Sequence, residues 1–240
     1  MSSCSLHINN RRVTVPNGIT LLEAARQEQI SIPTLCYLEG LTAVAACRLC
    51  LVDVSGSEEP RLLAACVTSC AEGMQVHTDT PRLREIRRTL IELLFTEGNH
   101  VCAICVANGH CELQNLAVAV GMDHSRLPYR FPERSLDLSH AQFGLDHNRC
   151  ILCTRCVRVC DEVEGAHVWD VGWRGEHCRI ISGLNEPWGD VSACTHCGKC
   201  VEVCPTGALF HKTETSEEKQ SHPERLQALV QARTQQQWTP

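Results

Sequence analysis

A doubled cysteine run between Cys150 and Cys204 constrains this chain more than any other feature. It reads Cys150-Ile-Leu-Cys153-Thr-Arg-Cys156-Val-Arg-Val-Cys160. After a spacer it continues as Cys194-Thr-His-Cys197-Gly-Lys-Cys200-Val-Glu-Val-Cys204-Pro205. Each half is C-x2-C-x2-C-x3-C. Three thiolates from one tight turn can reach three irons of a cubane, and the fourth iron takes the last cysteine of the other run. The spacing assigns one 4Fe–4S cluster to Cys150, Cys153, Cys156 and Cys204, and another to Cys160, Cys194, Cys197 and Cys200. Pro205 is expected to stop the helix that would otherwise run on from Cys204. Zinc is the competing metal, but zinc sites show two cysteine pairs rather than two matched runs of four.

The 18 cysteines exceed what a soluble chain of 240 residues normally carries. The opening Met1-Ser-Ser-Cys-Ser-Leu-His has no basic region followed by an apolar core, so a secreted disulfide framework is not expected. No apolar run approaches the roughly 20 residues of a membrane span. These features predict a cytoplasmic protein with thiols free for metal. A net charge of −6 disfavours a nucleic-acid partner. With 4% aromatic residues the core must lean on aliphatic side chains and on the clusters, so folding is expected to be coupled to cluster insertion.

Upstream, Leu6, Ile8, Val13 and Val15 alternate with polar residues about Asn9-Asn10, a β-hairpin pattern. Thr20 to Glu28 reads as a short helix, Leu51 to Val54 as a strand, and Ser55-Gly56 as a turn. The cysteines of this region follow C-x10-C-x2-C-x15-C, which does not wrap a cube. It resembles the plant-type 2Fe–2S pattern with its first gap lengthened, and assigns Cys36, Cys47, Cys50 and Cys66. Cys70 competes for the last place. Cys66 is preferred because it ends a strand-like run beside the loop, while Cys70 suits a small apolar packing role.

Thr80-Pro81 opens a helix whose Leu83, Ile86, Leu90, Leu93 and Leu94 share a face, with Gly98 at its C-terminal cap; its expected role is core. Cys102, Cys105 and Cys111 then form an odd set of three. His100 is placed to complete it, giving a third 4Fe–4S cluster with one neutral ligand, whereas His110 and His124 read as solvated. A Cys3His zinc site is the alternative. Fifteen cysteines and His100 thus supply four ligands to each of four clusters. Cys4, at an expected frayed terminus, Cys70 and Cys178 are left over. Residues 165–187 read as a hairpin insertion between the two runs. Beyond Lys212 the chain turns polar and Gln-rich, with one possible helix from Pro223 to Arg233 and an expected role in docking a partner.

Taken together, these motifs resemble the diaphorase small (iron–sulfur) subunit of bidirectional, NAD(P)-linked nickel–iron hydrogenases, particularly the cyanobacterial type. The stretches that carry the resemblance are Ile32-Pro-Thr-Leu-Cys36, Ala46-Cys-Arg-Leu-Cys50, Leu94-Phe-Thr-Glu-Gly-Asn-His-Val-Cys102, Pro128-Tyr-Arg-Phe-Pro132 and His147-Asn-Arg-Cys150-Ile-Leu-Cys-Thr-Arg-Cys156. The chain is also similar to the N-terminal part of the large iron–sulfur subunit of respiratory complex I and of iron-only hydrogenases. Those relatives read H-x3-C where this chain reads His100-Val101-Cys102, a short form that the hydrogenase diaphorase family shares.

The resemblance implies an α+β chain: an N-terminal β-grasp 2Fe–2S domain (1–79), a helical His/Cys3 4Fe–4S domain (80–121), a connector (122–140), a bacterial-type ferredoxin domain with two 4Fe–4S clusters (141–211) and a polar tail (212–240). It implies a non-catalytic electron relay with no flavin or NAD of its own. Its partners would be a flavin-bearing NAD(P)H-binding diaphorase large subunit, a hydrogenase small subunit with its nickel–iron large subunit, and a further 2Fe–2S subunit. An equivalent subunit of an NAD-linked formate dehydrogenase, or a complex-I-like diaphorase, is the nearest alternative. Because 36 residues follow Cys204, a complex I large subunit is not expected. A structural zinc scaffold is the competitor from another class.

Overall fold

Inward residues of the first hairpin alternate with polar ones, and the backbone follows that period. In the computed structural model, which describes residues 3–55, 61–213 and 215, β1 (Ser3–Ile8) pairs antiparallel with β2 (Arg11–Pro16). Asn9 and Asn10 both take positive φ, 49° and 67°. That is the two-residue turn whose twist suits the flanking strands. α1 (Leu21–Gln27) is closed by a reciprocal capping box. Thr20 Oγ1 accepts from the Glu23 N–H at 3.2 Å, and Glu23 Oε2 accepts from the Thr20 N–H at 2.7 Å.

β3 (Leu51–Ser55), β4 (Arg61–Ala64) and β5 (Gln75–His77) extend the hairpin to a five-stranded mixed sheet, ordered β2-β1-β5-β3-β4, in which β5 runs parallel to β1. The buried face of α1 packs on it, with Leu21, Leu22 and Ala25 against Leu6, Val52 and Val76. Cys4 is not at a frayed end. It lies in β1 at 5% exposure, within this core. The period-two alternation of Leu6 and Ile8 extends back to it and turns it inward.

α2 (Pro81–Thr96) starts where expected, with Thr80 Oγ1 accepting from the Leu83 N–H at 3.2 Å. Its buried face, however, is rotated from the predicted apolar stripe. Leu83, Arg87 and Ile91 are buried, while Leu93 is 42% exposed and Ile86 and Leu90 are half-buried. An arginine with fixed hydrogen bonds, described below, takes the central inward position. Gly98 is not a left-handed cap either, since its φ is not positive. A Cβ there would meet the Asn148 carbonyl oxygen at 2.3 Å, so close backbone approach is what demands glycine.

The chain divides into two units, Met1–Tyr37 with Ala43–Ile91, and Leu38–Thr42 with Glu92–Pro240. In the second, α3 (Glu112–Ala119) precedes β6 (Leu136–Asp137), β7 (Phe143–Asp146) and α4 (Arg155–Val159). β8 (Trp169–Gly172) and β9 (Arg179–Ser182) form the hairpin expected between the cysteine runs. α5 (Lys199–Glu202) and β10 (Leu209–His211) follow, and β10-β7-β6 make an antiparallel sheet. α5 has already ended before Cys204. Pro205 instead offers its carbonyl to the Glu112 N–H at 2.9 Å. Phe143, Leu145, Val159, Val163, Trp169 and Trp188 form the core of this unit. Among the described residues no helix is long and apolar enough to cross a membrane. Gly56 and the possible helix over 223–233 lie outside the described residues.

Candidate iron–sulfur sites

In the first unit the cysteine loop is coiled by two residues with left-handed φ, Ala45 at 52° and Arg48 at 60°. The coil aims amide hydrogens at sulfur. The Cys36 N–H donates to Cys47 Sγ at 3.4 Å and the Cys47 N–H to Cys36 Sγ at 3.5 Å, while Cys50 Sγ lies 3.4 Å from Cys66 Sγ. The four residues expected to hold the 2Fe–2S cluster thus converge. Within each pair one sulfur is eased toward the thiolate. A hydrogen bond from Cys36 pulls the Cys47 thiol down to about 5, and one from Cys66 pulls Cys50 down to about 7. Cys36 and Cys66 are correspondingly pushed up by those hydrogen bonds and by burial. Cys70 stands apart; burial raises its thiol to about 11, and the charged neighbours it feels are Cys4 and Glu23.

Arg87 braces this loop, and the sequence reading missed it. Its Nε donates to the Leu49 carbonyl at 3.1 Å, and its Nη2 to those of Leu51 at 2.9 Å and Thr78 at 2.8 Å. The carbonyls flanking Cys50 are therefore held by one planar donor. An arginine midway between Leu83 and Ile91, four residues from each, was the available signal.

The second unit collects the next set at the end of α2. His100, Cys102, Cys105 and Cys111 line one cavity, together with Arg149 and Gly207. His100 packs edge-on against Phe95 at 5.3 Å, and one ring nitrogen bonds the Leu94 carbonyl. The other, Nε2, is buried without a hydrogen-bond partner. Burial, then the neighbouring Arg149 charge, pushes His100 down to about 4, so the ring is neutral and Nε2 offers a lone pair. At Gly207 a Cβ would sit 2.6 Å from Cys105 Sγ, so only glycine leaves that sulfur its place. Burial raises the Cys102 thiol, and pushes that of Cys111 up to about 11.

The two four-cysteine runs fold alike. Leu152 (51°) and Thr154 (58°) take left-handed φ in the first, and His196 (58°) and Gly198 (72°) do so at the same two positions of the second. Burial raises Cys150 and Cys153 to about 12 and also pushes Cys156 well up, and each of the three feels Cys204. Cys160, Cys194, Cys197 and Cys200 line a second cavity, and Cys197 is exposed. Cys111 feels Cys204, and Cys156 feels Cys200. The Cys150 set is thus within electrostatic reach of both the His100 set and the Cys194 set.

Side chains tie these sets together. Arg155 reaches Glu112 in a bidentate pair at 2.6 and 2.9 Å, joining the residue after Cys111 to the turn between Cys153 and Cys156. Arg158 donates to the Cys153 carbonyl at 3.0 Å. His140, also missed in the sequence, accepts the Gln142 and Phe143 N–H groups at Nδ1, both at 3.1 Å. Its proton is thereby placed on Nε2, 2.6 Å from His196 Nδ1 and 4.0 Å from Cys194 Sγ.

The donor sets fit iron–sulfur clusters on their chemistry: three groups of four cysteines, one group of three beside an orphaned imidazole nitrogen, and a glycine where a Cβ would crowd Cys105 Sγ. Comparison with known proteins agrees. Residues 2–81 match a 2Fe–2S iron–sulfur cluster binding domain, residues 87–126 the iron–sulfur binding region of NADH-ubiquinone oxidoreductase G, and residues 142–210 the ferredoxin-like domain of NADH-quinone oxidoreductase subunit 3. The chain is 39% identical over 207 residues to an NADH-quinone oxidoreductase G-type subunit of Rhizobium meliloti, covering 85% of this chain but 23% of that protein. It is 34% identical over 211 residues to the gamma subunit of the NAD-reducing hydrogenase HoxS of Cupriavidus necator, covering 88% of each. A crystal structure of NAD+-reducing nickel–iron hydrogenase in the H2-reduced state contains a chain with a TM-score of 0.83 and 36% identity, covering 89% of both chains. With that reach along the whole length of the relative, the chain belongs to the family of the iron–sulfur gamma subunit of NAD-reducing hydrogenases.

Proposed function

We propose that this chain is the electron relay of an NAD(P)-linked hydrogenase, standing between a flavin-bearing diaphorase subunit and a nickel–iron module. Bound clusters supply one-electron steps without atom transfer. The protein's own residues would bind, space and insulate them. Cys36, Cys47, Cys50 and Cys66 would hold a 2Fe–2S cluster. His100 with Cys102, Cys105 and Cys111, Cys150 with Cys153, Cys156 and Cys204, and Cys160 with Cys194, Cys197 and Cys200 would hold three 4Fe–4S clusters. The Cys150 set is within electrostatic reach of the other two sets of the second unit, which suits conduction, and the exposed Cys197 suits hand-over to a partner. Full occupation by protein ligands leaves no open coordination position, which favours relay over catalysis. The β-grasp reading of the first unit, the five-part division of the chain, the cyanobacterial-type affinity, the named partner subunits and a cytoplasmic location belong to the same proposal.

One observation carries the reading: His100, whose Nε2 is buried without a hydrogen-bond partner, lines one cavity together with three cysteines. The test is iron and acid-labile sulfide content, with EPR of the dithionite-reduced protein, on wild type and His100→Ala. The expected result is about fourteen irons per chain, falling in the variant with loss of one 4Fe–4S signal. Substantial zinc in the wild type, or an unchanged spectrum in the variant, overturns it.

A further inference from the structure

A guanidinium beside the His100 cavity has an N–H that none of the described residues receives. Arg149 sits in the tight turn just before Cys150, and its side chain is 13% exposed. Its Nη1 pairs with Asp146 Oδ2 at 3.2 Å. That carboxylate is itself fixed, since Asp146 Oδ1 accepts from both the backbone N–H and the Nδ2 of Asn148, each at 2.9 Å. The Arg149 carbonyl accepts the Thr206 hydroxyl at 2.7 Å, so the backbone is pinned as well. Nε, in contrast, is buried without a hydrogen-bond partner. Both Arg149 and Thr206 line the cavity that His100, Cys102, Cys105 and Cys111 share.

A buried, charged N–H left unmade is costly, and natural structures tolerate it where a ligand completes it. The acceptor that the cavity would receive is sulfur, from the cluster or its thiolates. An added electron makes a cluster more negative, so a fixed cation and a donor N–H stabilise the reduced form more than the oxidised one. Asp146 pairs with Nη1 and holds the guanidinium without occupying Nε. We propose that Arg149 is a positioning residue for the His100 cluster, donating from Nε to sulfur and raising that cluster's reduction potential. This inference rests on the ligand set proposed above.

The experiment is an EPR-monitored redox titration of the full reconstituted chain as wild type, Arg149→Met and Arg149→Lys. The signal to follow is the one lost in His100→Ala. Expected is a shift to more negative potential in Arg149→Met with iron content retained, and an intermediate position for Arg149→Lys, which keeps charge but not the Nε donor. An unshifted potential in both variants overturns the inference. Should Arg149→Met fail to take up iron, Arg149→Lys decides alone: a more negative potential supports the inference, a wild-type potential overturns it. Failure of the ligand set is separately visible, as iron unchanged in His100→Ala.

Discussion

Arg87 is a buried cation whose cost is met by three carbonyls, two of which flank Cys50. Desolvation lowers its pKa, so burial is the force its hydrogen bonds must offset. Replacing it with methionine keeps the stem and removes the fork, leaving carbonyl oxygens of Leu49, Leu51 and Thr78 short of their donor. The expected loss is about 3 kcal/mol of stability in the first unit, since each unsatisfied buried group costs about 1–3 kcal/mol and the site relaxes in part. Lysine should rescue little, because a point charge cannot serve three divergent acceptors. Chemical denaturation of Arg87→Met and Arg87→Lys, with the 2Fe–2S EPR signal read alongside, checks this. A midpoint equal to wild type in both would mean that the fork is ornamental.

At the scale of elements, the bidentate pair between Arg155 and Glu112 ties α3 to α4. Arg155 is 4% exposed but Glu112 is 44% exposed, so solvent discounts the pair well below a fully buried one. Glu112→Gln is expected to lower stability by about 1–2 kcal/mol, seen as a lower denaturant midpoint with unchanged slope. No shift would place the tie in the backbone, in the bond from the Glu112 N–H to the Pro205 carbonyl. How far such elements are legible in the sequence depends on the range of the force that sets them. Local rules gave the Asn9-Asn10 hairpin, the short helix after Thr20 and the β8–β9 hairpin, because turn geometry, helix signals and period-two alternation act within a few residues. The spacing rule also singled out cysteines that the fold places near one another, such as Cys36 with Cys47 and Cys50 with Cys66. What the sequence hid were long-range demands. The inward face of α2 is set by carbonyls of the Cys47–Leu51 loop and of Thr78, not by the stripe through Leu93. Gly98 answers to Asn148, and His140 to a backbone turn and His196, none of which a local pattern can register.

For the whole molecule, the two units differ in what their cores are made of. The first packs a five-stranded sheet against α1 around a core that is mainly aliphatic and also takes in Cys4, Cys50, Cys66 and Cys70. In the second, Cys156, Cys160 and Cys200 are themselves core residues, with Cys150, Cys194 and Cys204 packed against them around Trp169 and Trp188. Two pockets open in this unit where the cysteines converge, one lined by Cys102, Cys105 and Cys111 and the other by Cys160, Cys194, Cys197 and Cys200. Apolar contacts across such gaps are forfeited unless something fills them, and binding free energy for a structural metal group is then folding free energy. Removing iron with a chelator should therefore act unevenly. Amide hydrogen exchange followed by mass spectrometry is expected to lose protection through β7, α4, α5 and β10, while β1, β2 and β5 remain protected at wild-type levels. Each unit has its own hydrogen-bonded sheet, so a difference between them reports on what fills the core rather than on secondary structure. Equal loss in both units would show that the aliphatic sheet cannot stand without its cluster. Protection retained in both would show that the cavities of the second unit are stable without any occupant, and that folding there is independent of iron.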